Sequence, residues 1–285
     1  MRSKLFVPGA RPELFTKALA GDADALSFDL EDSVPEAGKA QARTAIADLL
    51  ADPALAASGK CVIVRTNASD SAHFAADLAA MAHARVDLLN IPKLESVAQV
   101  QAIAAQLEAA EQANGLARPI GLLLNIETPA GLRHAPELAA AHPRVAGLQL
   151  GLADLFAVNG IARTPANVHA ALFALKMAAA QAGVFAYDSA WPTVSDEAGF
   201  HTEAAMARDL GFLGKSCIHP RQVAWANAVF SVSEDRLDEA RRIVAAAAAA
   251  ETSGRGAFLF EGRMIDTPFL RQAQMLLAAD RSPTR

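Results

Sequence analysis

The chain is poor in the features that would tie it to an oxidising compartment, a nucleic acid or a bilayer. Only two cysteines occur in 285 residues, Cys61 and Cys217, each inside an apolar run. They are expected to be buried, reduced thiols, and they lack the clustering from which a zinc site is built. Positive charge is in deficit, with 26 Lys and Arg against 31 Asp and Glu. No block of about five or six basic residues occurs, which removes the usual nucleic-acid footprint. No apolar run reaches the ~18 residues of a membrane-spanning helix. The amino terminus, Met1-Arg2-Ser3-Lys4-Leu5-Phe6-Val7-Pro8, meets Pro-Gly too early for a signal peptide. A soluble, cytoplasmic protein is therefore expected. There is no Gly-x-Ser-x-Gly elbow, which argues against a serine hydrolase. Gly211-Phe212-Leu213-Gly214-Lys215-Ser216 only imitates a phosphate-binding loop: two residues separate its glycines, where about four are required.

What the chain does have is hydrophobic residues, 52% of the total, many of them alanine, with aromatics at only 6%. That mixture suits many packed helices around a buried sheet. Eight short apolar runs alternate with helical periodicity: Leu5–Pro8, Ala25–Asp29, Cys61–Thr66, Val86–Ile91, Ile120–Ile126, Val145–Leu150, Val184–Tyr187 and Phe212–Ile218. Between them, Pro12–Ala20, Lys39–Leu50, Ser71–His83, Ser96–Asn114, Leu132–His142, Ala166–Ala182 and Thr202–Leu210 space apolar residues by three and four. This alternation predicts an α/β fold, a (β/α)8 TIM barrel over residues 1–230. A helix at Arg221–Phe230 is expected to close the barrel domain, and residues 231–285 to form a C-terminal extension in which a helix at Glu234–Glu251 leads to a Gly/Ser linker at 252–256, a hairpin and a last helix from Thr267.

Polar residues collect where the runs end. The exits read Pro8-Gly9, Asp29-Leu30-Glu31-Asp32, Arg65-Thr66-Asn67, Pro92-Lys93, Glu127-Thr128, Gly151-Leu152-Ala153-Asp154, Asp188 and His219-Pro220. In a barrel that end carries the chemistry. Either Glu127 or Asp154 alone is as readily a helix cap or a loop ion pair. Together, on consecutive strands with Gly151 leaving room, they predict a divalent metal site. Two carboxylates completed by water and substrate oxygens suit Mg²⁺, and no adjacent histidine favours Zn²⁺. Arg65, directly after three β-branched residues, is predicted to face the barrel mouth and bind a carboxylate or stabilise developing oxyanion charge; the alternative is a surface ion pair.

Asp29, Glu31 and Asp32 crowd three acids into four residues. They need a cation or a raised pKa, and Asp32 is a candidate proton carrier from this group, part of which is also suited to neutralising Arg65. Arg11, near a helix start, is either a phosphate or diphosphate contact or a solvated arginine. Lys93 is read as a pocket or ion-pair residue rather than a Schiff base, and His219 as a cap or packing residue.

These residues in this order resemble the citrate lyase β-subunit-like proteins of the HpcH/HpaI aldolase superfamily, close to malyl-CoA and citramalyl-CoA lyases. The resemblance runs through Leu5-Phe6-Val7-Pro8-Gly9 with Arg11-Pro12, Asp29-Leu30-Glu31-Asp32-Ser33-Val34, Arg65-Thr66-Asn67, Pro92-Lys93 and Ile126-Glu127-Thr128. It continues through Gly151 with Asp154, Asp196-Glu197 with Gly199, Gly214-Lys215, Ile218-His219-Pro220 and Gly262-Arg263-Met264-Ile265-Asp266. It implies a TIM barrel, Mg²⁺ on Glu127 and Asp154, Arg65 on the substrate carboxylate, and CoA thioesters as substrates. It also implies a homotrimer or hexamer in which the C-terminal segment can cover a neighbour's active site. The expected activity is cleavage of a 3-hydroxy-acyl-CoA, such as malyl-, citramalyl- or citryl-CoA, into acetyl-CoA and an oxo-acid. The alternatives are a malyl-CoA-type thioesterase and a lyase subunit acting on an acyl carrier protein within a citrate lyase complex. One loop departs from the family's usual Ile-Asp-Gly: here it reads Tyr187-Asp188-Ser189-Ala190-Trp191-Pro192, so no role for Asp188 is implied.

Overall fold

The computed structural model describes residues 1–252 and 257–281; the expected linker at 252–256 lies, Thr252 apart, outside them. Eight parallel strands form one sheet: β1 (Ser3–Pro8), β2 (Ala25–Asp29), β3 (Cys61–Arg65), β4 (Leu88–Ile91), β5 (Gly121–Ile126), β6 (Val145–Leu150), β7 (Phe185–Tyr187) and β8 (Lys215–Cys217). The strands are ordered β7-β6-β5-β4-β3-β2-β1-β8. The two outer strands meet through a parallel bridge of Asp188 with Lys215 and backbone bonds from Leu213 N to Ala186 O and Ser216 N to Asp188 O. The fold is the expected (β/α)8 barrel. Its last two strands are shorter than their apolar runs. Phe212 bonds back to Ala207 instead of pairing, and Gly211 turns the chain at φ +81°.

The strands are buried on both faces, as a barrel requires. Outward residues such as Leu26, Phe28, Val64, Leu122, Leu124 and Leu148 pack under helices through Ile46, Leu50, Ile103, Leu107, Leu172 and Leu175. Inward, Ala25, Ile63 and Leu123 with Cys61, Leu88 and Phe185 plug one end of the lumen. A Cβ on Gly147 would stand 2.3 Å from the Phe185 ring, so glycine there is what admits the ring. Above this plug the lumen is polar: Lys4, Asn90, Asn125 and Gln149, from β1, β4, β5 and β6, are buried and hydrogen-bonded to one another across it.

Most helices follow the periodicity. Val97–Ala113 starts at a Ser96–Gln99 capping box, and Pro165–Ala182 starts at a Thr164 cap and ends on left-handed Gly183. The single helix expected at Leu132–His142 is two, Pro129–Arg133 and Ala135–Ala139, because Pro136 cannot donate within a helix and restarts one in its first turn. The helix expected from Thr202 begins earlier, at Glu197, where the Asp196 side chain caps Gly199 N at 2.9 Å. Of the two free thiols Cys217 is buried but Cys61 is only partly so, and burial pushes both pKa values up to about 12.

The chain divides into two compact units, Met1–Phe230 and Ser231–Arg285. In the second, helix Glu234–Thr252, strands β9 (Phe258–Phe260) and β10 (Arg263–Ile265) and helix Thr267–Arg281 surround a small core of Ala240, Ile243, Ile265 and Ala273. The hairpin turns at Glu261-Gly262, both with positive φ, as a two-residue turn demands. Among the described residues no helix is long and apolar enough to cross a membrane.

Candidate active site

At the carboxyl ends of the strands lies a cavity of about 450 Å³. Asp29, Asp32, Arg65, Glu127 and Asp154 line it together with Phe6, Asn125, Gln149, Gly151, Ser189 and Ala190. The register explains part of this assembly. Pro8, Asp29 and Arg65, the last residues of β1, β2 and β3, stand side by side and so reach the same rim.

Arg65 is the hub. Asp29 takes its Nε at 2.6 Å and Nη2 at 2.8 Å, and Nη1 meets Glu31 at 2.8 Å and Asp32 at 3.2 Å. Burial opposes the guanidinium charge, but the bond to Asp29 and the fields of Glu31 and Asp32 outweigh it, and the pKa is raised. Asp29 is likewise pushed upward by burial and pulled further down by Arg65. Its oxygens also accept from the Glu31 and Ser33 amides, so this acid shapes the loop that follows it. Every nitrogen of the guanidinium thus has an acidic partner, of which Asp32 is the exposed one.

Lys93 sits in the left-handed region at φ +56°, unusual for a residue with a side chain. That conformation sends its amide N to Glu127 Oε1 at 2.9 Å, while its Nζ lies 2.9 Å from Glu31 and 3.8 Å from Asp32. Lys93 is thus the ion-pair residue of the two sequence readings. Glu31 is buried between the two cations, paired with Arg65 Nη1 and Lys93 Nζ, and burial raises its pKa.

Glu127 directly follows β5, and Thr128 then caps the helix Pro129–Arg133 through Gly131 N. Asp154 lies in the first turn of a six-residue helix, Leu152–Ala157, directly after β6. A Cβ on Gly151 would stand 2.6 Å from Glu127 Cβ and 2.8 Å from its Oε2, so glycine clears the space beside the carboxylate. Burial, then the charges of Glu31 and Asp154, raise the Glu127 pKa to about 8. A divalent cation would relieve both causes. Among the described residues no cluster of three or more Asp, Glu, His or Cys side chains is arranged to hold a metal; Glu127 and Asp154 are two hard oxygen donors beside one cavity, and one or two carboxylates with water and substrate oxygens is the usual Mg²⁺ set.

The other expected residues divide. Asp32 lines the cavity with its side chain 54% exposed. Arg11 does not: its side chain is 58% exposed and paired with Glu13, although it follows the rim residue Pro8 by three positions. His219 accepts from Arg221 N and so caps helix Pro220–Phe230. Asp188 does not line the cavity. It is fully buried beside Lys215, and its neighbours Ser189 and Ala190 form the wall instead.

Sequence reasoning missed the polar floor of Lys4, Asn90, Asn125 and Gln149. The signal was present: each is the polar residue at an inward position of an otherwise apolar run, in SKLFVP, LLNI, GLLLNI and VAGLQL.

Residues 2–220 match the model of the HpcH/HpaI aldolase/citrate lyase family. The chain belongs to this family. An L-malyl-CoA/beta-methylmalyl-CoA lyase of Cereibacter sphaeroides is 37% identical over 97% of this chain and 93% of the relative. The citrate lyase subunit beta of Escherichia coli is 37% identical over 97% and 92%. Among solved structures, the CitE protein of Mycobacterium tuberculosis in complex with magnesium, acetoacetate and coenzyme A superimposes with a TM-score of 0.76, at 34% identity and 98% coverage of both chains. Within this family fold, the rim of β2, β3, β5 and β6 is where the present chain gathers its charged residues.

Proposed function

We propose that the protein is a Mg²⁺-dependent carbon–carbon lyase that cleaves a 3-hydroxy-acyl-CoA carrying a carboxylate, such as malyl-, citramalyl- or citryl-CoA, into acetyl-CoA and an oxo-acid. The observation that carries this reading is one cavity in which Glu127, Asp154 and Arg65 converge at the strand ends. The lyase names of its full-length relatives and the magnesium and coenzyme A in a related structure support it.

Glu127 and Asp154 would hold the ion, which when bound supplies positive charge to the oxygens of the oxo-acid portion. Arg65, kept charged by three acids, binds the same carboxylate in place of its exposed partner Asp32 and stabilises negative charge that develops nearby. Cleavage requires loss of the hydroxyl proton, rupture of the carbon–carbon bond, and passage of the electron pair to the thioester enolate, which then takes a proton. Asp32, the most exposed carboxylate among the partners of Arg65, is the proposed acceptor of the hydroxyl proton. Arg11, exposed at the same end of the barrel, is the proposed phosphate contact of CoA. We place the enzyme in the cytoplasm as a homotrimer or hexamer whose C-terminal unit covers the cavity of a neighbouring subunit.

The test is to incubate the purified protein with each thioester, with Mg²⁺ or with chelator, and to identify products. Acetyl-CoA plus glyoxylate, pyruvate or oxaloacetate, formed only with Mg²⁺, is expected; free CoA with intact hydroxy-acid would make it a thioesterase. The identity to a citrate lyase subunit beta favours one second reading, a lyase that needs its thioester on an acyl carrier protein. Turnover of carrier-bound citryl groups but not of CoA thioesters would decide for it.

A further inference from the structure

Beneath the cavity the lumen holds a lysine that this chemistry does not use. Lys4 on β1 is fully buried, its Nζ 4.4 Å from the centre of the Phe6 ring and 5.4 Å from that of Tyr187. Among the described residues no carboxylate lies within 4.0 Å of it. Burial, with the nearby charge of Arg65, pushes its pKa well below the ordinary value. A buried amine without a counter-ion costs stability, and an apolar side chain of similar volume would not.

What Lys4 does have is a hydrogen bond across the lumen to Gln149 Oε1 on β6. The same oxygen accepts from Asn90 Nδ2 at 3.1 Å. With that end of the amide committed, Gln149 Nε2 donates to Asn125 Oδ1 at 2.9 Å, and Asn125 Nδ2 donates to Glu127 Oε2. Lys4 Nζ carries N–H donors whether charged or neutral and donates here to Gln149 Oε1, whereas a side-chain amide has one accepting and one donating end. The direction of the series is therefore set by the two donors on Gln149 Oε1, Lys4 and Asn90, because the way an amide faces is decided by its partners.

We propose that Lys4 is a positioning residue: by orienting the Gln149 and Asn125 amides in series it presents an N–H to Glu127 Oε2 and holds that carboxylate in place for the metal. The inference rests on the reading of Glu127 as a Mg²⁺ ligand. Without Lys4 the Gln149 oxygen keeps only the Asn90 donor, whose own amide can turn over with it. Asn125 then follows, and its carbonyl oxygen faces the carboxylate instead of its N–H.

Lys4→Met keeps the apolar stem and removes the donor. Crystal structures of the metal-free wild type and variant are expected to show the Asn125–Glu127 hydrogen bond broken in the variant and the Glu127 carboxylate rotated. Calorimetry with Mg²⁺ alone is expected to show binding weakened about tenfold, as for other outer partners of metal ligands, while urea unfolding of the metal-free variant shows stability equal to or above wild type. The double variant Lys4→Met/Gln149→Leu should bind Mg²⁺ no more weakly than Gln149→Leu, since one series is cut twice. An unmoved Glu127 with affinity within about twofold of wild type overturns the proposal. So does a fall in stability together with affinity, or additive effects in the double variant. If Lys4→Met does not fold, Gln149→Leu cuts the next link and is judged on the same displacement of Glu127. A wild type that binds no Mg²⁺ would remove the metal reading, and the crystal structures would still decide whether Lys4 orients Glu127.

Discussion

The barrel contains two buried ionic clusters, and they are built on opposite principles. At the seam between β7 and β8, Lys215 meets Asp188 at 2.6 Å and Glu203 at 2.7 Å, and Arg163 meets Glu203 at 2.6 Å while donating to Ala190 O at 2.8 Å. Two cations face two carboxylates. Burial disfavours the Lys215 ammonium, but Asp188 and Glu203 together hold its proton more tightly than water would; burial also disfavours the Glu203 charge, which Lys215 and Arg163 stabilise. At the rim, five carboxylates, Asp29, Glu31, Asp32, Glu127 and Asp154, share the cations Arg65 and Lys93. The seam is electrically complete and serves the fold. The rim is short of positive charge next to an open cavity, and such a deficit favours a bound cation.

The sharpest way to break this contrast is to remove the excess charge. Glu127→Gln and Asp154→Asn are each expected to cut Mg²⁺-dependent turnover on the order of a thousandfold, about 4 kcal/mol of barrier. Glu127→Gln should at the same time raise the melting temperature of the metal-free protein, because a buried, repelled acid has gone. Full turnover in both variants would refute the metal assignment. Lys215→Met attacks the complete cluster and strands Asp188, while Arg163 still meets Glu203. It is expected to cost about 3–5 kcal/mol in urea unfolding, with Mg²⁺ affinity of the folded protein unchanged; a drop in affinity matching Glu127→Gln would erase the distinction.

The pH dependence sharpens the comparison further. Glu127 titrates at about 8 in the folded state against an ordinary 4.5, so between those values the folded chain keeps a proton that the unfolded chain has released. Metal-free stability should therefore fall as pH rises through this window. Mg²⁺ affinity should rise in the same window, by up to about tenfold per unit, since the proton must leave first. Glu127→Gln should flatten the stability profile, and a profile with the opposite slope would contradict the charge deficit. The smallest effect belongs to a residue outside both clusters: Arg11→Ala is expected to raise KM for a CoA thioester about fivefold, one exposed charge-assisted contact, with kcat unchanged.

Legibility in the sequence followed the range of the interaction. Glu127 and Asp154 could be found because each closes a short apolar run, and a run of that kind has one physical meaning in an α/β chain. Arg65 was legible for the same reason, but its bond to Asp29 was not: the two are 36 positions apart and become neighbours only when β2 and β3 pair. Asp188 looked like a rim residue because it too ends a run. The structure turns it away from the cavity to join Lys215, since the last two strands are short and their seam needs its backbone as well as its charge. Arg11 shows the converse, a residue near the rim in sequence that pairs locally with Glu13.

By itself the sequence determined the alternation of strands and helices, the barrel and the end at which its chemistry lies, because hydrophobic periodicity and strand exits are local properties of the chain. Only the tertiary structure decided how charge is shared. Lys4, Asn90, Asn125 and Gln149 come from four strands, and whether they form a polar floor depends on which strands face each other across the lumen. The same holds for the balanced seam and the unbalanced rim. Electrostatic energy depends on distance through space in a poorly screened interior, and closing the barrel is what sets those distances.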